Sequence, residues 1–353
     1  MRKFTAAAFP EDHPALILFR DLLLPAPSGV EAQVAAAISR ELDRQEWSYR
    51  QDAAGNLLVR LPGGTNSAPP TILAAHMDEL GVVVTAVEAD GTLRVSRSGG
   101  LLPWKLGEGP LEILGDQAAV TGVLAMGSTH RSDAADQRVT WDTTRVLTGL
   151  TLTQLADAGV RPGTLAVPAR SRRGPVLFGD PTDPLVGAWT FDDRMGCVAL
   201  LRLLDRLRTE ERPLARPTIV AFTTREEIGG HGAKYLCRQE NPAIFIAVDG
   251  APMPPGTNLV LDGRPAIWSK DRLATYDQTL LRELMTAAER AGTHLQPVVY
   301  DSAASDASLV AYAGLAPRIA CLGQVRENSH GYEVARLAVF DNMVAVLHAY
   351  LSS

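Results

Sequence analysis

Three short apolar runs in this chain each end in acidic or imidazole residues, and that juxtaposition constrains the fold more than any other feature. Thr71-Ile72-Leu73-Ala74-Ala75 gives way to His76-Met77-Asp78-Glu79, Pro217 to Thr224 gives way to Glu226-Glu227, and Ala243 to Val248 is followed directly by Asp249. Runs this short and this uniformly apolar read as strands buried on both faces, the kind that parallel sheets use. A further apolar strand is expected near Ile319 to Leu322. Amphipathic stretches accompany them. Arg194 to Arg208 spaces Met195, Val198, Leu201 and Leu204 for one helical face, and Thr279 to Ala291 and Asn342 to Leu351 also read as helices. Strands alternating with such helices predict an α/β fold with a mostly parallel sheet flanked by helices. In open sheets of this kind ligand sites form at the carboxyl ends of the strands, so the three polar exits should meet along one edge.

Before the first of these strands, Ser28 and Glu31 have capping-box spacing and open an amphipathic run from Val30 to Leu42. Gln51 to Leu61 reads as a turn entering a strand, and Gly63 to Pro70 as a loop. From Val82 to Gly179 the texture changes to short β-rich pieces: Val82 to Val87, an Asp90-Gly91 hairpin signal, Leu93 to Val95, Ala118 to Met126 and Thr164 to Val167. The one helix expected there spans Leu152 to Ala158. The predicted organisation is a discontinuous main domain, residues 1–84 and 180–353, interrupted by a β-rich module at 85–179.

Composition removes several classes of function. The 353 residues carry 34 Lys+Arg against 40 Asp+Glu, a formal charge of −6, with no basic run interleaved with aromatics, so a nucleic-acid partner is not expected. No segment is apolar for long enough to span a membrane. The early basic pair Arg2-Lys3 is not followed by a long apolar core, which argues against a secretory signal. Cys197, Cys237 and Cys321 are odd in number and lack metal-knuckle or redox spacing, so they read as buried small hydrophobes in a reducing compartment, the cytoplasm by default.

Each candidate functional residue has an ordinary structural explanation when considered alone. A histidine near a strand end is commonly hydrogen-bonded packing, Glu226-Glu227 suits a solvated surface, and Asp192-Asp193 precede a helix whose N-terminus favours carboxylates. Together they form a pattern. Histidines and carboxylates arranged as one imidazole and one carboxylate on each of two metals, with a further carboxylate shared, suit borderline cations such as zinc or cobalt. Asp78, two residues beyond His76, can hold the imidazole from behind and fix its tautomer. His330, in Glu327-Asn328-Ser329-His330-Gly331, lies in a polar turn after the last strand.

His76-Met77-Asp78-Glu79-Leu80-Gly81, Phe191-Asp192-Asp193-Arg194-Met195-Gly196, Arg225-Glu226-Glu227-Ile228-Gly229, Val248-Asp249 and Ser329-His330 resemble, in order and context, the glutamyl and tetrahedral aminopeptidase family of dinuclear metallopeptidases. Leu155 to Thr164 is similar to the segment closing that family's β-rich dimerisation domain, so the inserted module is expected to be a small β-barrel. The resemblance implies two divalent ions bridged by Asp192, one also held by His76 and Asp249 and the other by Glu227 and His330. It implies Glu226 as general base, Asp78 behind His76 and a cis Asp192-Asp193 bond. Peptide substrates and homo-oligomers from dimer to dodecamer follow on the same footing. Three segments depart from the family: His231 replaces a basic residue near the site, for which a structural or supporting role is expected, Ser329-His330-Gly331-Tyr332-Glu333 differs from the family's Tyr-His-Ser-Pro type context, and the residues before Asp306 differ from the family's substrate-side loop.

Two other readings compete with an aminopeptidase. A carboxypeptidase or N-acyl amino acid deacylase would use the same activated water on a different amide, and a scaffold without activity would use only the β module. A glycosidase needs two carboxylates about 5–9.5 Å apart and no metal cluster, which the two histidines and shared Asp192 argue against.

Overall fold

The computed structural model describes residues 8–64, 68–130, 138–210 and 214–352. Residues 1–7, with the Arg2-Lys3 pair, and residues 65–67 of the Gly63–Pro70 loop lie outside the described residues. The chain builds two β-structures, each with its own core: an 11-stranded sheet and a closed six-stranded barrel.

The centre of the sheet is parallel. Thr218–Thr223, Thr71–His76, Ile244–Pro252 and Arg318–Glu327 lie side by side, and the two margins are antiparallel, with Leu57–Leu61 and Tyr49–Gln51 on one side and Tyr332–Arg336, Asp183–Trp189 and Val176–Asp180 on the other. Apolar runs produce this arrangement because every residue of the two strands Thr71–His76 and Thr218–Thr223 is buried. Phe191–Glu210, Ala338–Leu351 and Pro14–Leu22 pack together against the sheet. Phe191 joins the three, its ring 5.2 Å from Phe19 and 5.9 Å from Phe340. His231–Glu240 and Asp306–Tyr312 form a second helical pair.

The barrel runs from strand Gly81–Val87 to strand Leu165–Pro168, closed in the order Gly81–Val87, Leu93–Ser98, Arg145–Leu147, Ala119–Ala125, Gly109–Leu114, Leu165–Pro168. Val82, Val84, Leu93, Leu111, Ile113 and Leu124 fill its interior. Glu79 from the segment entering the barrel meets Arg173 from the segment leaving it at 3.0 Å, both fully buried, with Arg194 3.5 Å from the same oxygen.

Four expectations are corrected. Ser28 and Glu31 do not form a capping box: the Ser28 hydroxyl donates to Asp78, Glu31 accepts from the Gly29 and Arg225 amides, and the helix starts at Ala32. The strand expected to stop at Val248 continues to Pro252, because its longer neighbour pairs with it residue by residue through Pro252 opposite Arg326. Asp249 therefore sits inside a strand. The barrel region holds a second helix, Pro103–Leu106, too short to show a helical period. Strands Gly109–Leu114 and Arg145–Leu147 are further additions to the expected elements. All three cysteines are free and buried, as expected.

Candidate metal centre

His76 closes one parallel strand and Thr223 stands opposite it, while Ala74 pairs with Ala247, so the same register carried on brings Asp249 beside His76. The neighbouring strand then leaves the sheet through Arg225, in the left-handed region at φ 56°, into the turn carrying Glu226 and Glu227. Asp192 follows a third strand, Asp183–Trp189, and its bond to Asp193 is cis, as the resemblance implied. The regular helix starts beyond them, since Asp192 and Asp193 have non-helical angles and the Asp193 carboxylate accepts the Gly196 amide at 3.0 Å. A side chain at Gly196 would put its Cβ 2.4 Å from that carboxylate, so the close approach requires glycine. His330 lies in the turn joining Arg318–Glu327 to Tyr332–Arg336, where Asn328 and His330 have φ 59° and 62°.

Two donor groups result. Single atoms of His76, Asp192 and Asp249 lie within 4.8 Å of one another, as do single atoms of Asp192, Glu227 and His330. Asp192 belongs to both. One of its oxygens is 3.1 Å from His76 Nε2 and the other 3.5 Å from His330 Nε2. Glu226 belongs to neither group, yet lines the same cavity of about 410 Å³, together with Gly229, Trp268, Arg272, Ser302 and Leu309.

Asp78 is fully buried and does more than back His76. Its carboxylate lies 3.4 Å from His76 Nδ1, while its two oxygens accept the Glu226 and Glu227 amides at 2.9 and 3.2 Å. The sequence pattern marks neither this link nor the Ser28 hydroxyl on Asp78, the Arg326 guanidinium on Asp192, or the Glu333 carboxylate accepting the Asp192 and His330 amides. Glu333 carries a faint signal in standing three residues after His330; Arg326, inside the strand Arg318–Glu327, carries none. His231 and Asp306 also stay outside both donor groups. His231 opens the helix His231–Glu240 on an exposed turn, and Asp306 is buried, accepting the Thr223 hydroxyl at 2.7 Å.

The electrostatics call for added positive charge. Burial, then neighbouring carboxylates, push Glu226 and Glu227 well above the usual carboxylate range, and Asp249 rises to about 6 for the same reasons. Burial acts in the same sense on Asp192, but Arg326 and His76 outweigh it and hold that carboxylate far below the usual range. Glu227 Oε1 is buried with no hydrogen-bond partner. Imidazoles, carboxylates and an orphaned acidic oxygen make a donor set suited to divalent cations.

An α/β sheet carrying such donor groups along the edge where its parallel strands run out has the form of a metal-dependent hydrolase. The family model for M42 glutamyl aminopeptidase matches residues 55–346, and the chain belongs to that family. It is 28% identical over 242 residues to a glutamyl aminopeptidase of Lactococcus lactis and 29% identical over 204 residues to a lysyl aminopeptidase of Pyrococcus furiosus. Those matches take in 65% and 56% of this chain and 64% and 55% of the relatives, so the chain spans less than two thirds of their length. Among solved structures it superposes on the TET1 peptidase of Pyrococcus horikoshii with a TM-score of 0.83 at 26% identity, covering 96% of this chain and 99% of the other. No helix among the described residues is long and apolar enough to cross a membrane.

Proposed function

We propose that the chain is an aminopeptidase that removes N-terminal residues from peptides. In this reading two divalent ions, zinc or cobalt, are held by His76, Asp192 and Asp249 and by Asp192, Glu227 and His330. When bound, such ions supply Lewis acidity, polarising the scissile carbonyl and making a water acidic enough to attack it. Glu226 takes the proton from the attacking water and returns it to the leaving amine. The observation that carries this assignment is that Glu226 lines the same cavity as Asp192, Asp249, Glu227 and His330 and is a member of neither donor group. Asp78 serves the reaction at one remove, fixing the backbone of Glu226 and Glu227 and the ring of His76.

The names of the relatives support a free amine as the substrate's mark, which distinguishes this reading from a carboxypeptidase or N-acyl amino acid deacylase. We assign the barrel the part of dimerisation and substrate access. Val123 and Leu147 stand opposite each other on neighbouring strands and are 44% and 45% exposed, an apolar pair that a second subunit would cover. The Pyrococcus horikoshii peptidase is described as assembling into a tetrahedron or a large octahedral shell, and an assembly from dimer to dodecamer is the counterpart here. A cytoplasmic setting suits three free, buried cysteines.

Glu226→Gln tests the role of the base. The variant is expected to keep the metal content of the wild type and lose about 10²–10⁴-fold in kcat on aminoacyl amides; full activity with metal bound would remove Glu226 from the reaction.

A further inference from the structure

The two donor groups are held in different ways. His76 and Asp249 lie on adjacent paired strands, whereas His330 sits in a turn whose backbone is not part of the sheet ladder. Something else must fix that turn relative to Asp192. Arg326 and Glu333 flank it, on strands that pair Arg326 with Ala335 and Glu327 with Val334. Both side chains are buried, at 2% and 1% exposure. Arg326 Nη2 reaches the Asp192 oxygen on the His330 side at 2.5 Å, and Nε lies 3.1 Å from Glu333 Oε1. Glu333 in turn accepts the Asp192 amide at 3.0 Å and the His330 amide at 3.2 Å. The guanidinium lies so close over Gly250 that a Cβ there would come within 2.0 Å of Nη1, so the residue after Asp249 must be glycine.

We propose that Arg326 and Glu333 form a clamp that positions the shared Asp192 carboxylate and the His330 turn together, and so assembles the Asp192, Glu227 and His330 group. Glu333 is the balancing half. Its charge competes with Asp192 for the guanidinium, leaving the Asp192 oxygen available to a metal ion, while its two accepted amides fix the backbone on both sides. Without that charge Arg326 binds Asp192 alone and blunts its donor power.

The inference rests on the two-metal reading above, and the test separates them. Metal-free protein is titrated with zinc in the calorimeter, with a competing chelator, for the wild type, Glu333→Gln and Glu333→Asp. The clamp predicts two classes of site in the wild type. In Glu333→Gln one class should weaken at least tenfold while the other stays within twofold, and Glu333→Asp, which keeps the charge, should recover most of the loss. Two intact classes in Glu333→Gln, or equal weakening of both, would overturn the clamp and leave the two-metal reading standing. A wild type that binds fewer than two ions would overturn the two-metal reading and the clamp with it.

Discussion

The Asp78 carboxylate shows how much of the site depends on a residue that is not a member of either donor group. It receives the Ser28 hydroxyl at 2.6 Å and the amides of Glu226 and Glu227, and it stands against His76. Groups that orient ligands in this way typically cost about 10–100-fold in metal affinity or activity when changed. Asp78→Asn, which turns one acceptor oxygen into a donor facing an amide, is expected to fall in that range, measured as kcat and as bound zinc after dialysis. At this scale the polar strand exits and the family resemblance together pointed to His76, Asp192, Glu226, Glu227, Asp249 and His330, which line one cavity or adjoin it. The sequence was silent where a contact joins residues far apart, as Ser28 to Asp78 or Arg326 to Asp192, because nothing local marks a buried side chain's distant partner.

Elements were legible to the extent that a period had room to repeat. The central strands and the long helices follow from apolar spacing, but where Ile244–Pro252 and Arg318–Glu327 end is set by their pairing with each other, a tertiary fact that carries Asp249 into the sheet. Short pieces such as Pro103–Leu106 fall below one repeat. The join between sheet and barrel holds a buried charge cluster beside Trp189, the end of a sheet strand, which packs into the barrel core. Glu79 is the acidic partner of both Arg173 and Arg194, all at 1% exposure or less. Glu79→Ala strands two buried guanidiniums and should cost about 3–5 kcal/mol, read from urea unfolding. Because Arg194 also donates to the Met77 and Asp78 carbonyls, the same variant is expected to lower activity under conditions where it remains folded.

For the molecule as a whole, two cores joined at one buried junction predict separable surfaces and a pH-dependent metal-free state. If the barrel makes the dimer, Val123→Asp combined with Leu147→Asp should sediment as a monomer while the sheet's fold, followed by circular dichroism, is unchanged. Burial pushes Asp306 up to about 7, so the folded chain holds a proton that the unfolded chain releases at its ordinary lower value. That stabilisation is complete below the ordinary carboxylate range and is lost as pH rises through about 7. In metal-free protein Asp306→Asn should therefore flatten the fall in unfolding free energy between about pH 4 and 8. The central claim is tested most directly by hydrolysis of a panel of aminoacyl chromogenic amides and their N-acetylated counterparts, after chelation and again after zinc or cobalt is restored. The account predicts cleavage of the free-amine substrates only, abolished by chelation and recovered with metal; cleavage of the acetylated substrates, or activity indifferent to chelation, would contradict it.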